Sequence, residues 1–245
     1  MLRGVISKSE LAKIHLQLGD EFAAWQKSSE RFQGGGLKSG HLNCYPGAIA
    51  RGVYDELVAT GTLELARTLF PTDPKATRVG CNFNLPGSVA QHYHMDGIFL
   101  ESFMVVNTAV VDTSIENGAI EIVPGTHKRF YRYWEFAAGR VYKQGIRVPM
   151  SAGDVLIRTS TLWHRGMPNR TRAARPMLAV TLGEKGVNND DPLAANDGRT
   201  EFQTNWFTTS VLGRLRERTT VTAPLSYSAY RFVHSLMSDK GYRSF

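Results

Sequence analysis

Apolar residues along this chain fall into two textures, and the change comes near residue 78. Before it, the spacing is helical. Ser7 with Glu10 three positions on marks a helix start, and Leu11, Ile14, Leu18 and Phe22 follow at helical intervals, predicting a helix to about Lys27. Gly34-Gly35-Gly36 breaks the chain, and a second helical pattern runs over 53–70 until Pro71 and Pro74 stop it. After residue 78 the runs are short and β-branched or alternating: 79–84, 89–94, 103–112, 119–123, 146–150, 155–159 and 177–182. Pro86-Gly87, Glu116-Asn117-Gly118, Pro124-Gly125, Ala152-Gly153-Asp154 and Pro168-Asn169 supply the turns between them. Residues 188–199 read as an exposed loop, and 207–218 and 226–237 as closing helices.

Short strands punctuated in this way predict a mainly β fold with flanking helices, a sandwich or jelly roll whose two sheets enclose a ligand cavity. The expected organisation is one domain: a helical part over 1–77, a β core over 78–184, and a loop with helices over 185–245. A chain of 245 residues, 42% of them hydrophobic, buries one substantial core. There is no apolar run near the length of a membrane span and no start of the secretory kind. Cys44 and Cys81 occur in unrelated contexts, so a disulfide framework is not expected and a cytoplasmic setting is.

The net charge of +7 fits an anionic small substrate, nucleic acid or a basic surface. Part of it lies over 128–147, where Lys128, Arg129, Arg132, Arg140, Lys143 and Arg147 face only Glu135, interleaved with Phe130, Tyr131, Tyr133, Trp134 and Tyr142. This stretch reads either as a solvated loop or as a cover over substrate. Residues 40–47 read as a cavity wall or as a turn packed on the sheet. Arg214, Arg216 and Arg218 read as a solvated helix face.

Candidate chemistry centres on His94, Asp96 and His164. On a strand, residues i and i+2 share a face, so His94 and Asp96 can reach one metal, and His164 follows another strand-like run. Two imidazoles and one carboxylate leave three coordination positions for a cosubstrate and oxygen, as in non-haem Fe(II) oxygenases. A His-x-Asp pair alone is usually explained by a structural histidine with an Asp on a turn. His92 shares the face of His94 and reads as a packed histidine or a substrate contact. His127 reads as part of a turn, and His15, His41 and His234 have no ligand-like neighbours.

Longer motifs discriminate further. Gln91-His92-Tyr93-His94-Met95-Asp96, then residues 116–128 from Glu116-Asn117-Gly118 through Pro124-Gly125-Thr126-His127-Lys128, then Trp163-His164-Arg165-Gly166 with Asn169 and Arg175 closely resemble the phytanoyl-CoA dioxygenase family. The resemblance covers roughly 78–184 and implies a cupin-like double-stranded β-helix with His94, Asp96 and His164 as iron ligands. It further implies 2-oxoglutarate as cosubstrate, its distal carboxylate held by Arg175, and oxygen as the oxidant. A guanidinium suits that role because it grips a carboxylate bidentately; the bland reading of Arg175 is a surface residue at a strand start. Asn107 is similar in position to a residue that contacts the cosubstrate in relatives, or else packs the sheet. Gln91 is expected to orient a ligand or substrate. Gly166 departs from relatives that carry a hydroxyl there, and Thr161 or Thr108 are the candidate replacements.

The implied reaction is hydroxylation of a small, polar or anionic biosynthetic intermediate, with release of succinate and carbon dioxide. Halogenating relatives have a small residue where this chain has Asp96. Desaturation, epimerisation and cyclisation use the same iron centre. Nucleic-acid demethylases of the superfamily carry a second arginine six residues after the first, where this chain has Thr181. A non-catalytic jelly roll has no need of all four residues.

Overall fold

A computed structural model describes residues 1–27, 38–70, 76–183, 191–203 and 210–237. In chain order the elements are α1 (Lys8–Lys27), β1 (His41–Tyr45), α2 (Arg51–Ala59), α3 (Thr62–Thr68), β2 (Ala76–Asn84), β3 (Met104–Ala109), β4 (Glu121–Ile122), α4 (Tyr133–Ala138), β5 (Ile146–Arg147), β6 (Val155–Thr159), β7 (His164–Arg165), β8 (Arg175–Gly183), β9 (Glu201–Gln203), α5 (Val211–Thr222) and α6 (Pro224–Met237). Among the described residues, no helix is long and apolar enough to cross a membrane.

Two antiparallel sheets form the frame. The larger has the order β6-β3-β8-β2-β1-β9, and the smaller β5-β4-β7. Alternation along the larger sheet separates its faces: Leu42, Val79, Cys81, Phe83, Met104, Val106, Leu178, Val180 and Leu182 pack into the core beneath α1, α2 and α3. The helices contribute Leu11, Ile14, Leu18, Val53, Leu57, Leu63 and Ala66. The opposite face carries the polar residues of the candidate site. Between the sheets, Ala109, Ile120, Val148, Met150, Leu156 and Met177 form a second apolar layer. This is a jelly roll whose sheets do not close into a barrel.

Several expected elements differ for identifiable reasons. The predicted 53–70 helix is two, because Gly61 adopts φ +70 and its left-handed backbone ends one helix and starts the next. Within the 40–47 segment His41–Tyr45 form strand β1, pairing Leu42 with Phe83 and Cys44 with Cys81, and turns lie only at its two ends. The runs at 119–123 and 146–150 shorten to two-residue strands, with discrete bonds such as Val148 N–H to the Ile120 carbonyl, 2.9 Å, continuing the pairing. Residues 89–94 form no strand; they are pinned by separate bonds from Val89, Gln91 and His94 to Ser39, Gly166 and His164. Ser7 caps α1 by accepting from the Glu10 N–H at 3.4 Å, but the Ser7 N–H donates to Glu56 on α2, not to Glu10, so half of the expected capping box is supplied by another helix. The 207–218 helix begins at Val211 with Ser210 as its cap, and 207–209 lie outside the described residues, as do Gly34-Gly35-Gly36 and 188–190.

Leu16 and Leu18 test the docking of α1 on the sheet, since they share a helix but are 68% and 0% exposed. Leu18→Ala is expected to cost about 2–5 kcal/mol and Leu16→Ala about 0.5 kcal/mol or less, measured by urea denaturation. Equal losses would remove α1 from the core.

Candidate active site

Two chain segments seventy positions apart meet through a reciprocal backbone bridge. The His94 N–H donates to the His164 carbonyl at 3.0 Å, and the His164 N–H returns to the His94 carbonyl at 2.8 Å. The bridge brings the rings to a centroid separation of 4.3 Å. Asp96 completes the group: Oδ1 lies 3.7 Å from His94 Nε2 and Oδ2 3.6 Å from His164 Nε2. All three offered atoms fall within 4.8 Å of one another. Each imidazole donates its Nδ1–H to a backbone carbonyl, His94 to His92 at 3.0 Å and His164 to Leu162 at 2.8 Å. That tautomer leaves both Nε2 lone pairs aimed inward, as metal ligation requires.

The electrostatics keep these groups ready for a cation. Burial, reinforced by His164, pushes His94 well below the usual histidine range; burial and Arg158 bring His164 down to about 4. Burial alone would raise Asp96, but His164, Arg158 and His94 together outweigh it and hold the carboxyl below its ordinary range. At neutral pH the site presents two neutral imidazoles and one carboxylate.

Arg158 was not singled out from sequence. Its Nη2 lies 2.9 Å from Asp96 Oδ2 and its Nε donates to Asn107 Oδ1 at 3.0 Å, so Asn107 fixes Arg158 and Arg158 fixes Asp96. Asn107 lines the cavity, but this bond to Arg158 is its polar contact with the site. Gln91 accepts from the Gly166 N–H at 2.7 Å, joining the segment before His94 to the one after His164.

Arg175 starts β8 beyond a loop shaped by Asn169, which donates to the Asn84 and Ala173 carbonyls at 3.2 and 2.8 Å. It is no surface residue: only 3% is exposed, and its Nε and Nη1 lack partners among the described residues. Burial lowers its pKa to about 10, leaving it charged at neutral pH. An unpaired buried guanidinium on a cavity wall is costly unless an anion arrives. His41, set aside on sequence, is also buried here; Nε2 donates to the Val89 carbonyl at 2.8 Å and Nδ1 has no partner among the described residues. A Cβ on Gly166 would sit 2.6 Å from Gln91 Oε1 and 2.8 Å from His41 Cε1, so those side chains occupy the place of the missing hydroxyl. Neither proposed replacement lines the cavity: Thr161 bonds Thr159, and Thr108 faces the core.

One cavity of about 350 Å³ contains His94, Asp96, His164, Arg158, Arg175, Asn107 and Gln91. It is walled by β1, β2, β3 and β8, with Phe103, Ile120 and Met177 supplying apolar surface. No residue of the basic 128–147 stretch lines it. That stretch forms α4, its flanking turns and β5, and Phe136 and Tyr133 stack on Trp163 at 4.1 and 6.4 Å and so buttress the residue before His164. Thr126, not the exposed His127, organises the neighbouring turn, donating to the Val123 carbonyl and accepting from the Trp163 N–H. His92 packs against Tyr227 of α6, 5.3 Å between rings. From the same helix the buried Arg231 donates to the Tyr93 carbonyl at 2.9 Å and covers the Tyr133 ring, while Ser235 accepts from the Trp134 N–H at 2.9 Å.

Cavity and two-sheet frame make a jelly roll with two imidazoles and one carboxylate gathered on its cavity wall. The phytanoyl-CoA dioxygenase (PhyH) family model matches residues 1–177, and the chain belongs to that family. It is 29% identical over 137 residues to the dioxygenase lolE1 of Epichloe uncinata, covering 52% of this chain and 53% of that protein. It is 27% identical over 110 residues to the iron/alpha-ketoglutarate-dependent dioxygenase ausU of Aspergillus calidoustus, covering 40% and 35%. The chain thus spans about half or less of these curated relatives. Among solved structures, the epimerase SnoN in complex with Fe3+, alpha ketoglutarate and nogalamycin RO superposes with TM-score 0.58 at 18% identity, covering 75% of this chain and 77% of that one. The carbocyclase SnoK from nogalamycin biosynthesis gives 0.55 at 16%, covering 83% and 90%. HygX from Streptomyces hygroscopicus with nickel and 2-oxoglutarate gives 0.53 at 17%, covering 74% and 81%. The donor atoms and the unpaired Arg175 fit iron and 2-oxoglutarate.

Two expectations follow. Histidines that refuse protons when folded take them when unfolded, so His41 and His164, each with pKa about 4, destabilise the metal-free protein as pH falls from 6.5 toward 4. Chemical denaturation is expected to show a loss of about 2 kcal/mol for each by pH 5, and pH-independent stability over that window would contradict their burial. Arg158→Met is expected to weaken Co(II) affinity about 10- to 100-fold in anaerobic titrations. Unchanged affinity would show that Asp96 is oriented without it.

Proposed function

We propose that this chain is a non-haem Fe(II)/2-oxoglutarate-dependent dioxygenase that hydroxylates an unactivated C–H of a small, polar or anionic biosynthetic intermediate. The observation that carries the reading is the convergence of His94, Asp96 and His164 on one cavity with the buried, unpaired guanidinium of Arg175 on its wall. His94 Nε2, Asp96 and His164 Nε2 are the iron ligands, and Arg175 grips the distal carboxylate of 2-oxoglutarate. Iron with its cosubstrate and oxygen supplies the oxidant that removes a hydrogen atom from carbon, with succinate and carbon dioxide as co-products.

The chain's own residues set the conditions. Carbonyls of His92 and Leu162 hold the Nδ1 protons, keeping both rings from rotating. Arg158 pins Asp96 Oδ2, and Asn107 pins Arg158, so the carboxylate keeps one orientation. Phe103, Ile120 and Met177 offer apolar surface to the hydrocarbon part of a substrate. Asp96 occupies the position a halide would need, favouring hydroxylation over halogenation.

A second outcome on the same centre is supported by the folds of SnoN, an epimerase, and SnoK, a carbocyclase. Product mass separates them: one oxygen gained for hydroxylation, two hydrogens lost for ring closure, and no change for epimerisation.

Anaerobic addition of Fe(II) and 2-oxoglutarate is expected to produce the weak visible charge-transfer band of the chelate, and His164→Ala to abolish it. An intact band in the variant would remove His164 from the ligand set, and no band in the wild type would sink the cosubstrate assignment.

A further inference from the structure

We propose that Arg78 is the substrate-binding residue of this cavity, and that the substrate carries a carboxylate or phosphate-type anion on the order of 10 Å from the carbon that is oxidised. The inference rests on the oxygenase reading above and deepens it.

Register fixes where Arg78 stands. It pairs with Thr181 on β8, Thr181 with Val105 on β3, and Val105 with Arg158 on β6, so these four side chains form one row across the cavity face of the larger sheet. Three interstrand steps of about 4.8 Å put Arg78 roughly 14 Å from Arg158 at the backbone. Arg158 marks the metal end of the row through Asp96. Along the strands the separation from Arg175 is larger. Arg175 pairs with Asn84, six residues from Arg78 on β2, which is roughly 20 Å of strand. A five-carbon diacid anchored on Arg175 and chelated at the triad cannot reach Arg78, so this cation serves a different molecule.

Partnering points the same way. Arg158 is engaged by Asp96 and Asn107, and Arg175 faces the cosubstrate end, whereas the Arg78 side chain, exposed where the cavity meets solvent, makes no hydrogen bond or ion pair with any described residue. The side chains of Thr181 and Tyr45, which share its end of the cavity, are likewise without described partners, as are those of Asn82 and Asn43 farther along toward Arg175. Between that end and Asn107 the floor is Gly80 and Ala179. A Cβ at Gly80 would meet only the Cys44 carbonyl, at 3.8 Å, so packing does not demand a glycine there, and its absent side chain leaves a low floor for a ligand to cross.

Charge selects the ligand's chemistry. The described residues that line the cavity include three arginines, Arg78, Arg158 and Arg175, and one carboxylate, Asp96, which leaves two positive charges in surplus. A divalent metal and a dianionic cosubstrate cancel each other and leave that surplus in place. A neutral polyol would find hydroxyl and amide partners here but would leave the surplus uncompensated; an anion on Arg78 reduces it.

Phenyl phosphate and benzyl alcohol, a neutral aromatic of similar size, test the assignment on the anaerobic Fe(II)/2-oxoglutarate-loaded enzyme, by calorimetry and by perturbation of the chelate band. Wild type is expected to prefer phenyl phosphate about ten-fold or more, with the preference weakening as salt rises. Arg78→Gln is expected to keep the band and lose the preference, and Arg78→Lys to retain part of it. Equal preference in Arg78→Gln, or no preference in wild type, would overturn the assignment. So would loss of the band during titration, since the probe would then be displacing the cosubstrate from Arg175. Absence of the band in wild type before any probe is added is a separate signal, and it would remove the oxygenase reading itself.

Discussion

The reciprocal backbone bridge between His94 and His164 is the constraint from which the rest of the site follows. A bridge of two hydrogen bonds leaves little freedom in how two chains face each other, and its position determines which side chains share a cavity. Asp96 follows because it lies two residues beyond one half of the bridge. Trp163 and Gly166 follow because they flank the other half, one stacked under Phe136 and one pressed against Gln91. His164 is paired on its far side as well, with Ile122 of the smaller sheet, so the centre sits on the seam where the two sheets meet.

Periodicity made much of the β frame legible, since alternation survives wherever a strand has one face in a core and one on a cavity. It misled at 89–94, because that segment alternates like a strand yet makes its bonds one at a time to three different partners. It also read through Gly61, where a single left-handed residue outweighs the helical spacing around it. The candidate ligands and Arg175 were legible through motif spacing. Arg158 was not, although a signal was present: an arginine inside Val155-Leu156-Ile157-Arg158-Thr159 interrupts a strand that is otherwise apolar up to its last residue, and a charge so placed needs a partner. The basic 128–147 stretch drew attention by its charge density, but none of its charges lines the cavity, and its aromatics buttress Trp163.

Polarity is therefore distributed unlike the bulk composition suggests. The cavity's positive character comes from three arginines on three different strands, β2, β6 and β8, each isolated in sequence from other basic residues that face the same way. Only the sheet register assembles them. Imidazoles held neutral and the buried guanidiniums of Arg158 and Arg175 held charged at low hydration are both unfavourable in isolation, and the apolar layers above and below the larger sheet offset that cost.

The docking of α6 has a consequence for how defects in this protein would present. Arg231 holds the Tyr93 carbonyl, between two histidines of the ligand segment, and Ser235 holds the helix whose Phe136 supports Trp163. None of these helix residues touches the cavity, yet both halves of the bridge are braced through them. A lesion in this distant helix would thus masquerade as cofactor deficiency, a protein that is abundant and folded at its core but starved of metal.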